Sequence, residues 1–242
     1  MSWVSFRELD SLGEGLVKDY AKQTHRWNAM CFDIEGFITD YLGLNIVYET
    51  IAEEDKNKLG FCSDGSGELL VDRDGNAVAE LFPAGTIVID QYLKRESEVN
   101  RRRFTLAHEA AHAILARHIP ESVGSGFQAD FDRETTYSRQ DILRMFSMTE
   151  LCANRLGAAL LMPEYRVERA LRKYNNGNHI PCYEGVYSSE TKQLIRRISN
   201  ALGVSTSAMS NRLKELNFLD YQPLARYIRE ELHFGGLQDG CI

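Results

Sequence analysis

Three residues in one short stretch have the types and spacing to hold a metal ion and use it. They lie in Arg101-Arg102-Arg103-Phe104-Thr105-Leu106-Ala107-His108-Glu109-Ala110-Ala111-His112-Ala113-Ile114-Leu115. The run has no Pro or Gly and is rich in Ala, so it predicts a helix. Residues four apart on a helix share a face, one turn above the other. His108 and His112 can therefore hold one metal ion between them. Glu109, beside the first ligand, can lean toward the attacking water and act as its base. The flanking apolar residues Leu106, Ala107, Ala111 and Ile114 imply that the two imidazoles are partly buried.

A catalytic zinc site usually takes three protein ligands. His118 has the spacing of the third histidine in metzincins, but that class needs Gly three residues after the second His to break the helix. Leu115 stands there. On an unbroken helix His118 lies ~240° round from His112 and points elsewhere. A carboxylate from another helix is the better candidate, giving the two-histidine, one-glutamate set of gluzincins. Glu150-Leu151-Cys152-Ala153-Asn154-Arg155-Leu156-Gly157-Ala158-Ala159-Leu160-Leu161-Met162-Pro163 supplies one. The small residues Ala153, Gly157 and Ala158 let this helix approach its neighbour closely, and Glu150 at its N-terminal side could reach the metal. Asn154, one turn later, is a candidate to orient a ligand.

The elements that must position these residues read as α+β. A helix is expected from about Ser5 to Trp27, weakened by Gly13 and Gly15, with Phe6, Leu9, Leu12, Leu16 and Tyr20 as its stripe. A second runs from about Asp33 to Leu42 and stops at Gly43. A strand follows at Leu44–Tyr48. Leu69–Val71 and Ala77–Leu81 flank a turn of the Asp-Gly kind at Asp74-Gly75. Thr86–Asp90 is the clearest strand. Together these predict a small, mostly antiparallel sheet packed on the HExxH helix, with an edge that could take an extended peptide. Glu121–Arg139 reads as a long irregular loop, a lid or an insertion. The chain divides into an N-terminal helical extension (1–30), a metal-binding domain (31–180) and a helical C-terminal part (181–242).

Phe104-Thr105-Leu106-Ala107-His108-Glu109 with His112, followed by Glu150 and Ala153-Asn154 through Leu160-Leu161-Met162-Pro163, resembles the ImmA/IrrE family of zinc metallo-endopeptidases. The resemblance covers roughly 33–163. It implies that His108, His112 and Glu150 ligate one zinc ion and that Glu109 is the catalytic base. It also implies a protein substrate, a helix-turn-helix repressor whose cleavage relieves repression. The chain departs from the family pattern at Ala110-Ala111, where a bulky residue and Gly are usual, and at Leu156-Gly157, where Phe-Ala is usual. The spacing from His112 to Glu150 is also longer. Tyr137, Tyr165 and His179 are of the right type for a second oxyanion donor, with no sequence feature to choose among them.

Length and composition fit this reading. The 242 residues are 43% hydrophobic and 26% charged, with a formal net charge of −7. That balance argues against wholesale coating of nucleic acid. No apolar run approaches the ~18 residues needed to span a bilayer, and the N-terminus lacks the pattern of a signal peptide. The five scattered cysteines form no C-x-x-C pair and suit reduced thiols in a cytoplasmic protein. The alternative function is a DNA-binding regulator with a non-catalytic metal domain. It rests on two helices expected around Leu202-Gly203-Val204-Ser205, which resemble a helix-turn-helix. Ser207, Ser210, Asn211 and Lys214 are read as facing outward there, with Lys192, Arg196, Arg197 and Arg212 making the region basic.

Overall fold

The computed structural model describes residues 4–55, 58–118 and 139–230. They form two units: Met1–Glu164 with Leu202–Val204, and Tyr165–Ala201 with Ser205–Ile242. The α+β expectation holds in both.

The first unit opens with helix α1, Phe6–Gln23. A capping box starts it: the Glu8 N–H donates to Ser5 Oγ at 3.3 Å and the Ser5 N–H donates to Glu8 Oε2 at 2.7 Å. Of the expected stripe Leu9 and Tyr20 are buried, but Leu12 and Leu16 are half-buried and Phe6 is exposed, while Gly13, Val17 and Ala21 are buried instead. Gly13 is the reason. A Cβ there would lie 2.7 Å from Ala159 Cβ, so a residue that weakens the helix in isolation lets it close on a partner. A short helix α2, Ile34–Gly36, continues as a π turn over Phe37–Tyr41. Asp33 caps it, accepting from the Gly36 N–H at 3.1 Å, and Gly43 ends it at φ +65°.

Strands β1 (Asn45–Glu49), β2 (Gly60–Ser63), β3 (Glu68–Arg73), β4 (Asn76–Leu81) and β5 (Thr86–Asp90) follow. The sheet beside the candidate site has the order β1-β5-β2. Here the structure corrects the expectation of a mostly antiparallel sheet. β5 runs parallel to β1 on one side and antiparallel to β2 on the other. A parallel pair needs a long crossover. Every element from β2 to β4 lies within it, a topology that local patterning does not reveal. β5 is buried at all five positions, as a central strand must be. β3 and β4 form the expected hairpin, turning at Asp74 and Gly75 with φ +56° and +85°. Leu69 and Val71 from this hairpin bury against Val88, with Phe82 alongside.

Helix α3, Val99–His118, packs against β2 and β5 on one side and against helix α4, Arg139–Leu161, on another. α1 packs on α4. The 119–138 stretch, which holds most of the expected lid and Tyr137, lies outside the described residues, as does the His118 side chain.

The second unit takes in most of helix α5, Glu164–Asn175, then β6 (Ile180–Tyr183), α6 (Ser189–Leu202), α7 (Thr206–Glu215), β7 (Leu219–Gln222) and α8 (Leu224–Glu230). β6 and β7 pair in parallel, a small sheet the sequence did not suggest. Ser205 caps α7, accepting from the Ala208 N–H at 3.1 Å. No helix among the described residues is long and apolar enough to cross a membrane.

Candidate metal centre

The α3 helix is unbroken through the HExxH motif, so His108 and His112 stand one turn apart on the same face. Their Nε2 atoms are 3.0 Å from each other. Glu150 comes from α4, with Oε2 3.2 Å from His108 Nε2 and Oε1 3.3 Å from His112 Nε2. The two imidazole nitrogens and the two carboxylate oxygens thus converge, with neighbouring donor atoms 3.0, 3.2 and 3.3 Å apart. A tetrahedral zinc ion with ligands at ~2.0–2.1 Å holds its donor atoms roughly 3.3–3.4 Å apart. The donor set is therefore of the right kind and nearly the right size for such an ion. Among the described residues no other group of three His, Cys, Asp or Glu converges in this way.

Close helix contact makes the convergence work. A Cβ on Gly157 would sit 3.2 Å from the backbone C and O of Ala107 and from the N of His108. Ala107, Ala110, Ala111 and Ala153 are buried. Bulkier residues at these positions would separate α3 from α4 and carry the Glu150 carboxylate away from the imidazoles. Asn154 Oδ1 lies 3.1 Å from His108 Nδ1. The carbonyl oxygen can only accept, so Nδ1 carries a hydrogen, and in the neutral imidazole the Nε2 lone pair is the one left for a metal ion.

Glu109 is 8% exposed. Burial raises its pKa, and the charges of His112 and His108 oppose the rise. Burial pulls the His108 pKa down, but the Glu150 hydrogen bond and the nearby Glu109 charge outweigh it and leave it raised. Hydrogen bonds from His108 and His112 hold the Glu150 carboxyl far below its ordinary range, although its side chain is 55% exposed.

The four residues open on a cleft of about 1090 Å³. β2 forms one wall. A Cβ on Gly60 would lie 2.6 Å from Glu109 Oε1 and 2.7 Å from Thr105 Cγ2. Sequence reasoning passed over Gly60, yet a glycine inside a strand is a recognised mark of close approach. Cys62, two residues on, also lines the cleft, its thiol pushed up to about 12 by burial and then by the Glu109 charge.

Residues 39–214 match the family model described as the IrrE N-terminal-like domain, a peptidase family. The chain belongs to the IrrE N-terminal-like peptidase family. No curated protein matches it. The family match begins inside the π turn after α2 and ends in α7, so it takes in the whole HExxH helix, α4 and the helices read as a helix-turn-helix. Membership supports a metallopeptidase-type function, and the His108–His112–Glu150 group fits the metal ion such a function needs. Of the three candidate oxyanion donors, Tyr165 and His179 belong to the second unit. There the Tyr165 hydroxyl accepts from Arg166 Nε at 3.0 Å and His179 meets the Phe218 ring edge-on.

Proposed function

We propose that this IrrE N-terminal-like protein is a cytoplasmic zinc-dependent endopeptidase that cuts a helix-turn-helix repressor. The observation that carries the hydrolase reading is the His108–His112–Glu150 group with buried Glu109 beside it, opening on a cleft walled by a strand. When bound, one zinc ion would act as a Lewis acid toward water and the scissile carbonyl. His108, His112 and Glu150 would hold it, and Asn154 fixes the tautomer that frees His108 Nε2. Glu109 takes a proton from the attacking water. Its carboxyl, whose pKa burial raises, holds that proton and passes it to the leaving amine as the C–N bond breaks.

β2 has the geometry to align a substrate. Among the described residues it is an edge strand. Leu59 O accepts from the Asp90 N–H at 2.9 Å, so Leu59 faces β5. In an antiparallel ladder the alternate residues, Gly60 and Cys62, turn their N–H and C=O groups outward. An extended segment of the substrate could add to this edge. The repressor as substrate follows from the family resemblance. It is tested by incubating the protein, with and without zinc, with a helix-turn-helix repressor encoded beside it. Zinc-dependent cleavage that is lost in Glu109→Gln supports the proposal. Cleavage unaffected by that substitution or by chelation would reject it.

The second reading, DNA binding, has one observation in its favour. Lys192, Arg196 and Arg197 on α6 and Ser207, Asn211 and Lys214 on α7 are exposed. Two of the residues expected to contribute do not fit. Arg212 is 1% exposed and pairs with Glu215 at 3.2 Å. Ser210 is half-buried and turns its hydroxyl back to Thr206 O at 3.0 Å. A salt-dependent shift of DNA mobility, weakened in Arg197→Ala, would establish this reading, and no shift at low salt removes it.

A further inference from the structure

Three consecutive arginines precede the metal motif, and they have different fates. Arg103 donates to Phe32 O at 2.6 Å. Arg102 donates to Leu93 O at 3.3 Å and pairs with Glu35 at 3.5 Å. Both tie α3 to its surroundings. Arg101 is exposed, and its guanidinium has no hydrogen bond or ion pair among the described residues. It lines the same cleft as His108, Glu109 and His112. The helix register explains this, because positions 101, 105, 108 and 112 follow the i, i+4, i+3, i+4 path along one face.

The other described charges on the cleft wall each have a partner in the fold. Lys58 pairs with Glu53 at 3.1 Å and lies over the Phe61 ring. Arg117 donates to Leu42 O at 3.0 Å. Asp64 is used by its own turn, accepting from the N–H groups of Ser66 and Gly67 at 2.8 and 3.3 Å. Asp55 is itself engaged. Glu109 and Glu150 belong to the candidate centre. Among the described residues Arg101 is thus the cleft cation whose guanidinium makes no hydrogen bond or ion pair, and a guanidinium is suited to a carboxylate.

We propose that Arg101 determines specificity by holding an acidic side chain of the substrate about three residues from the scissile bond. Arg101 lies seven residues before His108, which is ~10 Å along a helix. An extended peptide covers that span in about three residues at ~3.3 Å each. The inference rests on the endopeptidase reading and names a feature of its substrate.

The experiment profiles cleavage of a proteome-derived peptide pool by the zinc-loaded wild type and by Arg101→Gln and Arg101→Glu, with termini read by mass spectrometry. Zinc content and circular dichroism of each variant check that it is folded and loaded. The expected result is enrichment of Asp or Glu two to four positions from the cut in the wild type. That enrichment falls roughly tenfold in Arg101→Gln, in line with loss of one charge-assisted pair. In Arg101→Glu it gives way to Lys or Arg. Wild-type cleavage without acidic enrichment, or enrichment unchanged in both variants, overturns the proposal and leaves the peptidase standing. If the zinc-loaded wild type cuts the repressor but not the pool, an Asp or Glu two to four positions from that cut supports the proposal and its absence overturns it, and cutting neither overturns both.

Discussion

Glu109 sits where an ionised carboxylate is disfavoured, 8% exposed under the backbone of Gly60, with two imidazoles as its opposing charges. Replacing it by Gln keeps the shape and removes the basic oxygen. Glu109→Gln is expected to retain about one zinc per chain and to lose turnover by about 10²–10⁴-fold, measured by metal analysis and cleavage assay. Asn154→Ala removes the acceptor that sets the His108 tautomer. Zinc affinity should fall about 10–100-fold by competition with a chromogenic chelator, while the fold by circular dichroism stays intact. Gly60→Ala would place a methyl 2.6 Å from Glu109 Oε1. Zinc content should be unchanged while kcat drops, because the atom displaced belongs to the proposed base and not to a proposed ligand. Among these residues, His108, Glu109 and His112 were legible because four-residue spacing on a helix is a local property. Gly60 was not, since its partner is 49 positions away and only the packing of α3 on β2 brings them together.

At the scale of elements, glycines that look alike in sequence carry opposite meanings. Gly157 meets the Ala107–His108 backbone at 3.2 Å, whereas Gly15 on α1 has nothing within 4 Å. Gly157→Val should force α3 and α4 apart. A loss of about 1–3 kcal/mol from overpacking is expected, together with weaker zinc binding as Glu150 moves off the imidazoles. Gly15→Ala should instead stabilise by up to about 1 kcal/mol, since the helix gains propensity and meets no obstacle. Thermal unfolding of both variants checks the pair, and equal signs would contradict the packing described. The pattern of Ala153, Gly157 and Ala158 announced a close helix contact in the sequence. Which helix it contacts, and that Gly13 of α1 meets Ala159 on the same α4, came only from the assembled layers.

At the scale of the whole molecule, the ligand pair couples stability to pH. In zinc-stripped protein the raised His108 contributes stability that is fully present below its ordinary value of 6.5 and is lost as pH rises through its folded value. The lowered Glu150 contributes stability that is present above its ordinary value of 4.5 and is lost as pH falls through its folded value. Both contributions are complete between pH 4.5 and 6.5. Zinc must displace the His108 proton to bind. The gain in Tm on adding zinc to stripped protein should therefore be smallest near pH 5 and grow toward pH 8, as read by calorimetry. A gain that is flat or larger at low pH would argue that His108 is not a ligand.

What the sequence determined by itself is what depends on near neighbours: the HExxH face, the Asp74-Gly75 hairpin and the strand Thr86–Asp90. Glu150 was also within reach, because small residues on one helix imply a partner and the carboxylate had the matching chemistry. Tertiary structure decided the rest. It made the sheet mixed, because β1 and β5 meet in parallel only after a long crossover. It divided three adjacent arginines between scaffold and cleft, and it buried Arg212 in a helix that composition had marked as basic. A side chain's type is written in the chain, but the surface it faces is set by how distant elements pack around it.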